Sequence, residues 1–197
     1  MSASVGPSGH LLKPYGHADP ADIGAGFERQ IRALVEAGVD LICIEPMTDL
    51  TEAVLAARAA RRVAPEVPVM ATMTFDKTRR GFFTVMGVSI EQAVRGLTDA
   101  GADILGSNCG TGSEIMVDIA REFRARTDRP IAIQSNAGLP QHRGGVIVYA
   151  EGPEFMAGKA RALLDLGVTL IGGCCGTTPD HIRAIRRVVD GAIEHAQ

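Results

Sequence analysis

Three of the four cysteines in this 197-residue chain lie in two glycine-rich segments. Cys109 stands in Gly-Ser-Asn-Cys-Gly-Thr-Gly, and Cys174 and Cys175 stand in Gly-Gly-Cys-Cys-Gly-Thr-Thr-Pro. Three thiolates from two loops can supply three legs of a tetrahedral zinc site and leave the fourth position open, as in catalytic zinc sites. Flanking glycines allow the tight backbone turns that bring adjacent cysteines to one ion. The spacing therefore predicts a zinc site with room for a substrate.

The charge of such a site indicates its reaction. Zinc promotes proton loss from a coordinated thiol, so a thiol substrate in the fourth position would bind as a thiolate. With three protein thiolates the site already carries a net charge of about -1, so the substrate sulfur stays nucleophilic and can accept an alkyl group. Two alternatives remain open: the cysteines are small buried hydrophobes, or residues 174–175 form a vicinal disulfide. Cys43, within Leu-Ile-Cys-Ile, is expected to be a core residue.

Nearly all-apolar segments alternate with amphipathic helical patterns, which favours strands buried on both faces of a parallel sheet. The predicted strands are about Ala3–Val5, Val39–Glu45, Val67–Phe75, Asp103–Asn108, Pro130–Ser135 and Val168–Gly173. Helix starts are predicted at Asp19-Pro20 and Thr178-Pro179, and by the capping-box spacings Asp49/Glu52 and Ser89/Gln92. Helix ends are predicted at Gly38, Gly101 and Gly167.

An internal repeat organises these elements. Segments beginning at Glu36, Asp99 and Asp165 each read as a helix end, a glycine and an apolar strand. They imply a recurring βα unit of about 33 residues, which favours a (β/α) barrel or a doubly wound sheet. The alignment places Glu45, Asn108 and Cys174 at equivalent strand ends, where the active sites of such folds gather.

The chain resembles the homocysteine S-methyltransferase family over essentially its whole length. Two segments, GSNCGTG at 106–112 and GGCCGTTPDHI at 172–182, resemble the zinc motifs of that family. Two more, EPMTD at 45–49 and QSNAGLP at 134–140, resemble other motifs of the family. Pro46 and Ser135 depart from those patterns. The segments GPSGHLLKPYG at 6–16 and MTFDKTRRGFF at 73–83 are more similar to the homocysteine-binding module of cobalamin-dependent methionine synthase than to the betaine-dependent branch.

This resemblance implies a (β/α)8 barrel, here with about six of the eight βα units, and one domain spanning 1–197. It implies that Cys109, Cys174 and Cys175 ligate Zn2+ and act in catalysis through it. It also implies that Glu45 holds the substrate ammonium, while loop groups around the residues Asn108, Gln134 and Asn136 orient the amino acid. For those last three residues, the alternative is that the side chains only tie loops together.

The composition sets limits on partners and location. Hydrophobic residues make up 46% of the chain, charged residues 22%, and the formal net charge is -3. No basic stripe or long apolar run is present, so nucleic acid and membrane partners are not expected. The N-terminus lacks the pattern of a signal peptide, and clustered cysteines suit a reducing compartment, so a cytoplasmic location is expected.

The sequence therefore predicts methyl transfer to homocysteine, giving methionine, with methylcobalamin carried by a separate corrinoid or pterin-binding subunit. S-adenosylmethionine or S-methylmethionine is the alternative donor. A different possibility is an inactive or partner-dependent zinc and homocysteine-binding module. The first strand matches the family's third strand, so we also expect the chain to be an N-terminally truncated barrel whose open edges favour self-association.

Overall fold

The computed structural model describes residues 1–194, so residues 195–197 of the predicted domain lie outside the described part. Six strands form one all-parallel sheet, whose order along the sheet is the order along the chain. These strands are β1 (Ser2–Val5), β2 (Leu41–Met47), β3 (Val69–Met73), β6 (Ile104–Gly112), β7 (Ile131–Asn136) and β10 (Leu170–Gly173). All six predicted strands are confirmed. One α-helix follows each of them, so residues 1–194 form six βα units.

The helices are α1 (Pro20–Glu36), α2 (Leu50–Val63), α3 (Ile90–Asp99), α4 (Ser113–Arg124), α5 (Pro153–Asp165) and α6 (Pro179–Glu194). Asp19 caps α1 by accepting a bond of 2.9 Å from the Ala21 N–H, and Ser89 with Gln92 forms a full capping box on α3, as predicted. The Asp49/Glu52 prediction is only half right. Asp49 caps α2, but the Glu52 carboxylate accepts instead from the Ser8 N–H, at 2.6 Å.

Two antiparallel hairpins rise from the ends of β3 and β7, and the sequence did not predict them. They are β4 (Asp76–Thr78) with β5 (Gly81–Phe83), and β8 (Gln141–Arg143) with β9 (Val146–Val148). The basic residues Lys77, Arg79 and Arg80 belong to the first hairpin, are exposed, and lie on the side of the sheet where the strands end.

The two faces of the sheet bury different sets of side chains. The large cluster packs between the sheet and the helices and includes Ile42, Ile44 and Leu105. A smaller cluster on the inner face contains Cys43, Met70 and Ala132. Cys43 is thus a core residue, as predicted, and its burial first, then the nearby Glu45 carboxylate, raises its pKa to about 11. Because side chains alternate along a strand, Glu45 shares this inner face with Cys43.

The sheet keeps two open edges within the part of the chain that the structure describes. There, β1 pairs only with β2, and β10 pairs only with β7. An apolar groove lies beside β10, lined in part by Leu170, Ile171, Ile182 and Val189, and Ile182 is 46% exposed. Self-association through these edges stays a prediction.

Among residues 1–194, no helix has both the length and the apolar character needed to cross a membrane.

Candidate metal centre

A bulge in β6 places Cys109 at the mouth of the sheet. Asn108 pairs with Gln134 and Gly112 with Asn136, so three residues of β6 face a single residue of β7. The bulge pushes the chain out of the ladder, and Cys109 takes a left-handed backbone conformation with φ of 60°. Non-glycine residues rarely adopt this conformation, and at functional sites such strain is held by the surrounding structure.

The other two cysteines follow β10 in a loop that is bound tightly to β7. The Cys174 N–H donates to the Ser135 carbonyl at 2.7 Å, and the Cys175 N–H donates to Asn136 Oδ1 at 3.1 Å. The Ala137 N–H donates in turn to the Cys175 carbonyl at 2.9 Å. Both cysteines are therefore fixed to the strand that lies between β10 and the bulge carrying Cys109.

The sulfur atoms of Cys109, Cys174 and Cys175 all lie within 4.8 Å of one another, and all are free thiols. The Sγ atoms of Cys109 and Cys175 are 3.7 Å apart. Tetrahedral zinc with Zn–S bonds of about 2.3 Å has a sulfur–sulfur edge of about 3.8 Å, so the donor set fits the ion in type and spacing. Partial burial, followed by the neighbouring Cys109, raises the pKa of Cys174 to about 12.

Tyr149 packs against the cysteine loop at Gly176. A side chain at Gly176 would collide with the Tyr149 ring, so the ring packs directly against the backbone beside Cys175. Desolvation, and then the proximity of the Cys175 sulfur, raises the pKa of the Tyr149 hydroxyl. Sequence reasoning missed this residue, because nothing in its local sequence relates it to a loop 25 residues away.

Glu45 and Gln134 bring unpaired polar atoms to the mouth. Glu45 Oε1 accepts from the Ser4 hydroxyl at 3.2 Å, while Glu45 Oε2 and Gln134 Oε1 are buried and have no hydrogen-bond partner among the described residues. A buried acceptor without a donor costs free energy, so both atoms are candidates for binding a ligand that donates hydrogen bonds.

Asn108 and Asn136 already make hydrogen bonds that tie the loops together. Asn108 Oδ1 accepts from the Thr72 hydroxyl at 2.7 Å, and the Asn108 carbonyl accepts from the Thr74 hydroxyl at 3.0 Å. Asn136 holds Cys175, as described above. Contact of either side chain with a substrate stays a prediction.

His181 is buried and structural rather than a ligand. Its Nδ1 accepts from the Thr178 N–H at 3.1 Å, which leaves the ring proton on Nε2. That Nε2 is 2.9 Å from the Glu151 carbonyl and donates to it. His181 therefore fixes the start of α6, immediately after the cysteine loop.

The backbone strain at Cys109 leads to a prediction on stability. In the metal-free protein, Cys109→Gly is expected to be more stable than Cys109→Ala by about 1 kcal/mol, because glycine adopts the left-handed conformation without a Cβ penalty. Urea unfolding of the two variants measures the difference. Equal midpoints and slopes would contradict a left-handed conformation at this position.

The short distance between two of the sulfurs leads to a prediction on oxidation. Metal-free protein exposed to air is expected to form a disulfide involving Cys174 or Cys175, with Cys109–Cys175 as the favoured pair. Zinc uptake should then fail until a reductant is added. Peptide mapping by mass spectrometry identifies the bond, and undiminished zinc uptake by air-exposed protein would contradict the prediction.

The sheet and its mouth define a protein of the (β/α) barrel class, built here from six βα units, with a cluster of thiols where the strands end. Residues 1–189 match the sequence model of the homocysteine S-methyltransferase family, and the chain belongs to that family.

Similar proteins agree with this assignment. The chain is 32% identical over 191 residues to the methionine synthase of Mycobacterium tuberculosis, and 29% identical over 203 residues to that of Mycobacterium leprae. These matches cover 94% and 98% of the chain but only 16% of each relative. The metallated form of the homocysteine methyltransferase MmuM from Escherichia coli superposes with a TM-score of 0.73 at 22% identity, covering 93% of this chain and 59% of that one. This likeness confirms the predicted barrel-type fold.

Proposed function

We propose that this chain binds homocysteine at a zinc ion held by Cys109, Cys174 and Cys175, and presents the substrate sulfur for methylation to methionine. The observation that carries the proposal is the cluster of three sulfurs within 4.8 Å at the strand ends of a chain in this family. Zinc bound there would stabilise the substrate as a thiolate, while the three protein thiolates keep that sulfur nucleophilic.

A bound cation would offset the charge of the three thiolates. The raised pKa of Cys174 means that this thiol keeps its proton near neutral pH when no cation is present. A divalent ion compensates the charge that makes three adjacent thiolates unfavourable. The cluster is therefore better suited to holding a cation than to acting as a set of free nucleophiles.

The amino-acid end of the substrate would bind deeper in the mouth. Glu45 Oε2 is buried without a hydrogen-bond partner among the described residues, and an ammonium group would supply both the charge and the donor that it lacks. Gln134 Oε1 is a second unpartnered acceptor, and we assign it a supporting role in orienting the substrate. Asn108 and Asn136 would act by shaping the loops around the substrate.

The donor is proposed to be a methylcorrinoid carried by a separate module. Cys175 is exposed, so the cluster is open to a group that approaches from outside the chain. The similarity to two methionine synthases, of which the chain spans 16%, supports this donor over S-adenosylmethionine or S-methylmethionine. A zinc and homocysteine-binding module that needs a partner chain for activity is the second candidate function, and the open sheet edges favour it.

Cobalt substitution tests the proposal directly. Co2+ in a thiolate site gives sulfur-to-metal charge-transfer bands, and homocysteine is expected to change them by entering the fourth position. Homoserine, which lacks the thiol, is the matched ligand control. Methionine formation is then followed with methylcobalamin, S-adenosylmethionine or S-methylmethionine as donor. Bands that do not respond to homocysteine would contradict the proposed function, while responsive bands without turnover would favour the partner-dependent module.

A further inference from the structure

Glu151 lies between β9 and α5, and its carboxylate, N–H and carbonyl form hydrogen bonds with three separate parts of the fold. Its Oε2 accepts from the N–H and the hydroxyl of Ser113, at 2.9 and 2.6 Å. Its own N–H donates to the Ala137 carbonyl at 3.0 Å. Its carbonyl accepts from His181 Nε2 at 2.9 Å.

Each of these partners follows a cysteine closely in the chain or is hydrogen-bonded to a residue in or beside the cysteine loop. Ser113 begins α4, four residues after Cys109. The Ala137 N–H donates to the Cys175 carbonyl at 2.9 Å while the Ala137 carbonyl accepts from Glu151, so the backbone of Ala137 links Glu151 to that cysteine. His181 accepts from Thr178, in the segment that leads from the cysteine loop into α6. One side chain and its peptide groups therefore join the Cys109 segment to the Cys174–Cys175 loop.

The space around Glu151 is shaped for this role. A side chain at Gly112 would collide with the Glu151 carboxylate, and a Cβ at Gly138 would lie 3.2 Å from Glu151 Cγ. Gly112 is also the N-cap of α4 and supplies no side-chain cap. The carboxylate of Glu151 takes over the capping role by accepting from Ser113, 38 residues away in the chain, and its negative charge also interacts favourably with the helix dipole.

We propose that Glu151 is a positioning residue that holds the Cys109 segment against the Cys174–Cys175 loop at the spacing a tetrahedral metal requires. It acts through Ser113 and Ala137, and it is not one of the three metal-ligand candidates. The inference rests on the proposed metal function, and it adds a residue outside every motif of the sequence. Losing it would let the 3.7 Å approach of Cys109 and Cys175 relax.

Zinc affinity provides the first test. Glu151→Ala is expected to weaken zinc binding about tenfold or more, the scale of one lost charge-assisted hydrogen bond, measured by competition with a chelator of known affinity. Glu154→Ala is the matched control, because Glu154 lies three residues away and forms only an exposed ion pair with Arg187. The control should bind zinc as the unsubstituted protein does.

A metal-free measurement separates this inference from the proposed function. In a glutathione redox buffer, the fraction of chains with a Cys109–Cys175 disulfide reports how closely the two segments are held. Glu151→Ala should need a more oxidising buffer, by about tenfold in the equilibrium constant, than Glu154→Ala. If the unsubstituted protein binds no zinc, the proposed function fails, and this measurement alone decides the role of Glu151.

Conservative variants keep the test decisive if Glu151→Ala does not fold. Glu151→Gln retains an acceptor for the Ser113 N–H and is expected to recover part of both effects. Ser113→Ala, made in the otherwise unsubstituted protein, removes only the hydroxyl bond to Glu151 and is expected to shift zinc affinity and the disulfide equilibrium in the same direction by a smaller factor. Lower thermal stability with zinc affinity and disulfide equilibrium both unchanged would overturn the proposal, since it would show a purely structural role.

Discussion

Cys174→Ala and Cys109→Ala are each expected to reduce the zinc content from about one ion per chain to near zero, because each removes one of three protein ligands. Zinc is measured by plasma mass spectrometry after dialysis against metal-free buffer. Affinity in the unsubstituted protein should also fall as the pH falls, because protons compete with the metal for the thiolates. Burial, and then the neighbouring Cys109, raise the pKa of Cys174, so this thiol must lose a proton when the metal binds.

Cys43→Ala is the matched control for both variants. Cys43 lies in the buried cluster with Met70 and Ala132 and is not one of the three clustered sulfurs at the strand ends. The Cys43→Ala protein should keep its full zinc content and lose stability only through the small cavity that the substitution leaves. Full zinc retention in Cys174→Ala would rule out this ligand set.

Glu45→Gln is expected to weaken homocysteine binding by about 1–3 kcal/mol, or about 5- to 150-fold in Kd. The amide keeps the shape of the side chain but loses the charge that would pair with the substrate ammonium. Calorimetry on zinc-loaded protein measures the affinity, and zinc content should not change, because Glu45 is not in the sulfur cluster.

Glu36→Gln provides the control for Glu45→Gln. Glu36 is an exposed glutamate at the end of α1, and its substitution should leave homocysteine affinity unchanged. If the affinities of Glu45→Gln and unsubstituted protein are equal and both are folded, Glu45 only braces the mouth through its hydrogen bond from Ser4.

The sheet could be predicted from the sequence because its strands are continuous apolar segments, as in Leu-Ile-Cys-Ile of β2, separated by helices with clear start and end signals. The hairpins could not, since β4 and β8 are Asp-Lys-Thr and Gln-His-Arg, three exposed polar residues with no periodicity to detect. Their pairing depends on the turns between the strands and on the framework beneath them.

The candidate site was predictable where residue type and local spacing carry the information. Cysteines between glycines at strand ends are such a signal, and the structure brings the three sulfurs together. The left-handed conformation of Cys109 and the bulge around it depend on pairing with β7, which no local pattern encodes. Glu151 has partners 38 and 30 residues away, so only the folded chain reveals its contacts.

The sequential order of the strands has a consequence for a newly synthesised chain. Because each strand of the sheet pairs with its neighbours in the chain, the sheet can grow from β1 toward β10 as synthesis proceeds. Cys109 and Cys175 are 66 residues apart, so at about 5–20 residues per second the ribosome needs about 3–13 seconds between them. During that interval Cys109 lacks both of the cysteines that lie beside it in the folded protein, so the proposed zinc site cannot be completed until Cys174 and Cys175 have been synthesised.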